Sequence, residues 1–218
     1  SKSPNIIGMF FMASFEAMGS EIFKEDWVKF STDEPDIGDY YIAVDLAGFA
    51  DVQSATKSKN QKLDQTAIAI VKANEDGWWV ADIVHGRWDI KKTARKIFEA
   101  VNAYQPVAVG IEKGALKNAV LPYLTDLMKS QQRFFRVEEL THGNKKKTDR
   151  VVWALQGRFE HGQITLNEGD WNPQFLDELF QFPNALVHDD LVDALAYIDQ
   201  LAKVCLLYTS PSPRDQVV

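Results

Sequence analysis

The sequence predicts an α/β domain whose mixed sheet begins as a three-strand antiparallel meander, continues in α/β units and is flanked by helices. Three observations carry this. Short apolar runs over 40–46, 66–72 and 78–84 lie close together, the last two joined by Asn74-Glu-Asp-Gly77, whose Asp-Gly marks a hairpin. From Asp89 onward, helical apolar spacing alternates with further short apolar runs. Acidic residues fall where several of these elements end.

Residues 1–39 show no clean alternation, and Asp33-Glu-Pro-Asp-Ile-Gly-Asp39 is acidic and broken by Pro and Gly, so 1–39 reads as a linker. The domain proper is expected over 40–204. Tyr40–Leu46 reads as a buried strand, followed by a polar stretch from Gly48 to Asp64. Thr66–Lys72 and Trp78–Val84 complete the meander. Trp78 and Trp79 are neighbours on one strand, so one of them is expected to be exposed or at an interface. Asp89 can cap a helix reaching Tyr104, with Ile90, Ala94, Ile97, Phe98 and Val101 on one face. Val107–Glu112 is apolar up to its last residue, the pattern of a parallel strand buried on both faces. A helix over 116–130 contains Pro122, where a kink is expected. Arg133–Glu138 reads as a fifth strand, 147–161 as a helix and Gly162–Leu166 as a short edge strand. Helices over 172–181 and 189–203 close the chain. Three hairpin-linked strands followed by α/β units is the ribonuclease-H-like arrangement.

Bulk properties narrow the function. A chain of 218 residues suffices for one domain with its own core. No apolar run approaches the roughly 20 residues of a membrane helix. With a net charge of −7, any contact with nucleic acid needs Lys and Arg gathered on one face. The single Cys excludes a disulfide framework and a Cys-based zinc site. That Cys205 opens a stretch, Cys205-Leu-Leu-Tyr-Thr-Ser-Pro-Ser-Pro-Arg-Asp215, that reads as a translated adapter from DNA library preparation. Residues 205–218 are therefore expected to be a non-native tail.

The chemistry-bearing candidates are carboxylates. Asp45 ends the first strand and Glu112 the fourth. Asp189, Asp190 and Asp193 share one side of the first turn of the last helix, opposite an apolar stripe of Leu191, Leu195, Ile198 and Ala202. Acids flanked by apolar residues are costly unless neutralised, and clustered carboxylates raise each other's pKa. A divalent cation removes both penalties, and an oxygen-only donor set suits Mg²⁺ or Mn²⁺. Taken singly, a strand-end Asp can equally cap a loop, and Asp189 or Asp190 can serve as an N-cap. Lys145, Lys146, Lys147 and Arg150 form the densest basic cluster, placed at a helix start where it opposes the dipole; phosphate contact is the expected use. Lys57, Lys59 and Lys62 offer the same chemistry. Asp64 is either an outer acid of the site or a turn residue. His188 can orient a carboxylate or a water.

Several segments together resemble the nuclease domain of the large terminase subunit of tailed bacteriophages: Tyr41-Ile-Ala-Val-Asp45, Asp64-Gln-Thr-Ala-Ile-Ala-Ile70, Val109-Gly-Ile-Glu112, Asn144-Lys-Lys-Lys-Thr-Asp-Arg150, Gly162-Gln-Ile-Thr-Leu166, and Phe182-Pro-Asn-Ala-Leu-Val-His-Asp-Asp-Leu-Val-Asp-Ala-Leu195. The His-Asp-Asp-x-x-Asp-Ala piece is the most specific. The Pro usual in the family after the first Asp is Leu46 here. The resemblance implies an endonuclease for double-stranded DNA in viral genome packaging, with Asp45, Glu112 and one of Asp189 and Asp190 holding two Mg²⁺ or Mn²⁺ ions. It also implies partnership with a packaging ATPase domain, a portal and a small terminase subunit, in the host cytoplasm, away from any membrane. No Walker A pattern occurs, so residues 1–39 are expected to be the remnant of a connection to an ATPase domain lying outside this sequence. A Holliday-junction resolvase or other ribonuclease-H-like nuclease shares these features. An actin-like ATPase or sugar-kinase domain and a non-catalytic docking module are the alternatives from other classes.

Deleting residues 205–218 is expected to leave the thermal midpoint nearly unchanged. A fall of several degrees in a thermal melt, more than about 1 kcal/mol for a chain of this size, is the result that contradicts a dispensable tail.

Overall fold

The computed structural model of the protein describes residues 22–46, 65–141, 146–184 and 186–206. A seven-stranded mixed sheet carries helices on both faces. In chain order the elements are β1 (Lys29–Phe30), β2 (Asp39–Asp45), β3 (Thr66–Asn74), β4 (Gly77–Gly86), α1 (Ile90–Tyr104), β5 (Ala108–Glu112), α2 (Ala115–Ser130), β6 (Val137–Leu140), α3 (Lys147–Glu160), β7 (Ile164–Leu166), α4 (Asn172–Gln181) and α5 (Asp190–Leu206). Across the sheet the order is β1-β7-β4-β3-β2-β5-β6. β2, β3 and β4 form the expected antiparallel meander. β5 and β6 extend it in parallel on one side, β7 and β1 on the other.

The meander holds because its strands are apolar on both faces and both faces are covered. On one face α1 and α2 close over Ile42, Val44, Ile68, Ile70, Val109 and Ile111. On the other, α3, α4 and α5 close over Tyr41, Ala43, Ala67, Ala69 and Val71. Burying each Ile or Val side chain contributes roughly 1.5–3 kcal/mol. The two-sided cover also answers the Trp pair: Trp78 and Trp79 point to opposite faces and both are buried, so neither is left exposed, contrary to expectation. The last helix departs from expectation in the same way. Leu191, Val192 and Ala194 to Ile198 are all buried, so α5 is a core helix wedged between the sheet and α3 and α4, without a polar face along this stretch.

Two boundaries differ. The fifth expected strand, Arg133–Glu138, is displaced: β6 spans Val137–Leu140, with Val109 opposite Val137 and Glu112 opposite Leu140. The partner decides this, because Leu140 packs directly over Gly110, where a Cβ would come within 2.6 Å of it. Within the stretch expected as a linker, Phe23 is buried between Phe159 and Phe182, and β1 pairs with β7. Residues 22–39 are thus integral to the sheet domain. Helix α1 starts as expected, with Asp89 Oδ1 accepting the Lys92 N–H at 2.7 Å. Helix α5 runs to Leu206; residues 207–218 of the expected tail lie outside the described residues, as do 1–21.

The β3–β4 turn depends on Gly77. Asn74 Oδ1 accepts the N–H groups of Asp76 and Gly77, and Gly77 sits at φ +143° with its Cα facing the Gln163 carbonyl, 2.2 Å from where a Cβ would stand. Only glycine suits that position. Gly77→Ala is expected to lower the thermal midpoint by at least about 5 °C, on the order of 2 kcal/mol for this size, measured by calorimetry. An unchanged midpoint contradicts the close approach.

Candidate active site

The parallel register that sets Val44 opposite Ile111 brings the next residues, Asp45 and Glu112, side by side at the strand ends. Side chains alternate along a strand, so Asp45 follows Tyr41 and Ala43 onto the face covered by α5, and Glu112 follows Gly110. The Asp45 and Glu112 carboxyls lie within hydrogen-bonding reach of each other. Asp45 is buried, and that burial, the charge of Asp193 and the contact with Glu112 hold its carboxyl well above the usual carboxylate range.

The first turn of α5 faces this pair. Asp190 opens the helix, is 7% exposed, and accepts the Gln65 backbone N–H on Oδ2 at 2.9 Å. His188 Nδ1 stands 3.6 Å from the same oxygen. Asp193, one turn on and 2% exposed, has both oxygens engaged: Oδ1 accepts from Arg150 Nη2, and Oδ2 lies 3.0 Å from Lys147 Nζ. Lys147 also meets Asp189 Oδ1 at 2.8 Å. Burial alone would lower the Lys147 ammonium, but the charges of Asp193 and Asp189 outweigh it and hold the group above the usual lysine range. Arg150 is inside the protein, stacked 4.0 Å from the centre of the Tyr197 ring. The structure therefore sets two of the four expected phosphate-contacting residues against the acids, Arg150 buried and Lys147 half-exposed. Lys146, before the first turn of α3, is exposed; Lys145, Asp64, Lys57, Lys59 and Lys62 lie outside the described residues.

The acids fall into two kinds. Asp189 and Asp193 are neutralised by Lys147 and Arg150. Asp45 and Glu112 face each other, and no cation is bonded to Asp45 among the described residues. Hard oxygen donors on a buried pair suit a divalent cation, and the α5 acid whose charge acts on Asp45 is Asp193. Asp193 has both oxygens in ion pairs, with Arg150 and Lys147, in this arrangement. Among the described residues, no three His, Cys, Asp or Glu side chains are grouped closely enough to hold a metal ion.

Glu178 is a residue that sequence reading did not single out. It reaches from α4 to the start of α5, where Oε2 accepts the N–H groups of Leu191 at 2.8 Å and Val192 at 3.3 Å. It thus caps α5 from another helix and fixes the turn that bears Asp190 and Asp193. The available signal was a charged residue on the apolar stripe of α4, between Phe175 and Leu179.

A seven-stranded mixed sheet with carboxylates gathered at its strand ends defines a protein of the ribonuclease-H-like class. The profile of the terminase RNaseH-like domain matches residues 42–199, and the chain belongs to that family. None of the curated proteins matches the sequence. Among solved structures, the human cytomegalovirus terminase nuclease domain, Mn-soaked and inhibitor-bound, aligns with a TM-score of 0.57 at 15% identity, covering 88% of this chain and 100% of that one. The large terminase nuclease of the thermophilic phage G20c with bound magnesium aligns at 0.56 and 16% identity, covering 83% of this chain and 96% of that one. The large terminase of another thermophilic bacteriophage aligns at 0.53 and 10% identity, covering 81% of this chain and 42% of that one. At these identities the structures speak for the fold.

Burial pushes the Glu178 carboxyl up to about 7 from 4.5, against the hydrogen bonds from Gln174, Leu191 and Val192, with the charge of Asp190 adding to the rise. A raised carboxyl keeps its proton in the folded chain while the unfolded chain has lost it. Stability from this group is therefore complete below pH 4.5 and falls as pH rises to about 7, by roughly 3 kcal/mol in all. Glu178→Gln keeps an acceptor for both N–H groups and removes the titration. Its urea stability is expected to decline less than that of wild type between pH 5 and pH 7.5. Parallel pH profiles contradict the assignment.

Proposed function

We propose that this chain is a divalent-metal-dependent endonuclease that cuts double-stranded DNA during viral genome packaging. The observation that carries the reading is the buried Asp45–Glu112 pair at adjacent strand ends, with the charge of Asp193 acting on Asp45 from the first turn of α5, the turn that Asp190 opens. Family membership supports it, as do the nuclease domains of like fold, one soaked with Mn and one with bound magnesium.

Asp45, Glu112 and Asp190 would hold the cation, with Asp189 beside them. When bound, Mg²⁺ or Mn²⁺ supplies Lewis acidity and charge compensation for a phosphodiester under attack. The raised Asp45 carboxyl marks where charge compensation is missing without it. Asp193 has a different part: held by Arg150 and Lys147, it fixes the Lys147 ammonium beside the carboxylates. That ammonium is half-exposed and can meet a phosphate oxygen at the edge of the site. Lys146 extends the same cationic strip towards a DNA backbone, and Lys145, outside the described residues, belongs to the same expectation. His188 and Gln65 orient Asp190. The finer partners belong to the same reading: a packaging ATPase domain, a portal and a small terminase subunit, in the host cytoplasm.

Asp45→Asn is expected to be folded, inactive, and at least as stable as wild type without metal, because it relieves a buried carboxyl. Nicking of supercoiled plasmid should occur for wild type with Mn²⁺ or Mg²⁺, stop with EDTA, and be absent for the variant. Added Mn²⁺ should raise the wild-type thermal midpoint and leave that of Asp45→Asn nearly still. Nicking by a purified Asp45→Asn protein at the wild-type rate overturns the proposal.

A further inference from the structure

The far side of the meander carries a feature that the nuclease reading does not use. β7 pairs only with Trp78, Trp79 and Val80 of β4. β4 continues to Gly86, so from Asp82 to Gly86 its outer edge has no strand beside it among the described residues. A bulge opposite Ile70 and Val71, where Ala81 is the extra residue, marks the point at which β4 leaves β7. The gap is a groove of about 490 Å³, walled by β4 and by the loop from Asn167 to Trp171. It wraps the strand edge. Asp82 and Tyr104 line it on the α1 side, and His85, Glu168 and Asp170 line it on the side of α4 and α5.

Its chemistry is one-sided. Asp82, Glu168 and Asp170 carry no ion pair among the described residues, although Asp82 is half-buried. Two edge groups are already covered locally: Asn167 Nδ2 donates to the Ala81 carbonyl at 3.1 Å, and the Asp82 carboxylate takes the Ile83 N–H. Carboxylates repel a DNA backbone, so this groove is no part of a DNA track. An open strand edge offers main-chain pairing to an extended segment, and side chains of such a segment alternate to the two faces. Both faces here present carboxylates.

We propose that the open edge of β4 from Asp82 to Gly86, with the Asn167–Trp171 loop, binds an extended Lys- or Arg-bearing segment of a partner protein, added to the sheet as a strand. The edge seats about five residues at strand spacing. Basic side chains on one face of the segment meet Asp82, and those on the other meet Glu168 and Asp170. Tyr104 and Trp171 give the aliphatic stems apolar walls. The proposal is independent of the nuclease reading, since none of these residues touches the Asp45–Glu112 pair.

The test uses the full chain and synthetic peptides in isothermal titration. The probe is the capped heptapeptide Val-Arg-Arg-Thr-Arg-Arg-Val, whose Arg side chains fall on both faces of an extended strand. One control has Glu in place of Arg. Two others are N-methylated on alternate backbone nitrogens, each blocking one edge of the strand. The Arg peptide is expected to bind and the Glu peptide to fail. One of the two methylated peptides should lose at least tenfold in affinity. The triple variant Asp82→Asn, Glu168→Gln, Asp170→Asn should bind the Arg peptide at least tenfold more weakly, while melting and nicking plasmid like wild type. Absence of binding by the Arg peptide overturns the proposal. So do equal affinities for the parent and both methylated peptides, wild-type affinity in the triple variant, or loss of binding in Asp45→Asn, which would assign the peptide to the acidic centre.

Discussion

The structure turns on the placement of a carboxyl at the buried end of a central strand. β2 lies between β3 and β5 with helices over both faces, so Asp45 is carried into the protein by the same apolar strand that builds the core. The parallel register with β5 adds Glu112 beside it. Two carboxyls so placed cannot both ionise cheaply. The surroundings must therefore provide positive charge, a proton or a cation, and the architecture around α5 answers to that constraint.

Helix α5 brings further acids to the pair, and holding them there takes three supports. Glu178 caps the helix from α4, Arg150 binds Asp193 from α3, and Lys147 spans Asp189 and Asp193. These supports reach α5 from two different helices, so its start is fixed in direction as well as in position. Such fixing is what a metal-dependent site needs, because its donors must be set before the ion arrives. Glu178 is the costly member: its carboxyl, buried near Asp190, is held by hydrogen bonds that only partly offset the loss of water.

Much of the fold was legible because its signals are local. Apolar runs, the Asp-Gly turn and the Asp89 cap act within a few residues, and these elements stand where the sequence places them. What failed was decided by distant partners. β6 took its register from Gly110 and Leu140, a pairing across a helix, so Arg133–Glu138 misread it. Trp78 and Trp79 looked like one inward and one outward side chain because a single strand cannot reveal that both faces are covered. Phe23 lay in a stretch without periodicity, yet it fills a space between Phe159 and Phe182 that exists only in the folded chain.

The acids show the same limit more sharply. Asp189, Asp190 and Asp193 look alike in sequence, three carboxylates on one helical turn, and helical spacing alone assigns them one role. The structure separates them by their neutralising partners. Asp193 and Asp189 are balanced by Arg150 and Lys147, which lie far earlier in the chain, and that same pairing holds Arg150 inside the protein. In a basic cluster expected to contact phosphate, Arg150 is instead buried against Asp193, while Lys147 meets the acids from a half-exposed position. The unfavourable placement of those cations against the helix dipole was the visible clue, and phosphate was only one way to explain it. Carboxylates one layer deeper were the other. Asp45 stands apart from Asp189 and Asp193: it is buried against Glu112 and bonded to no cation among the described residues. This distinction, rather than the number of acids gathered, sets Asp45 apart as the buried acid with no basic side chain bonded to it among the described residues.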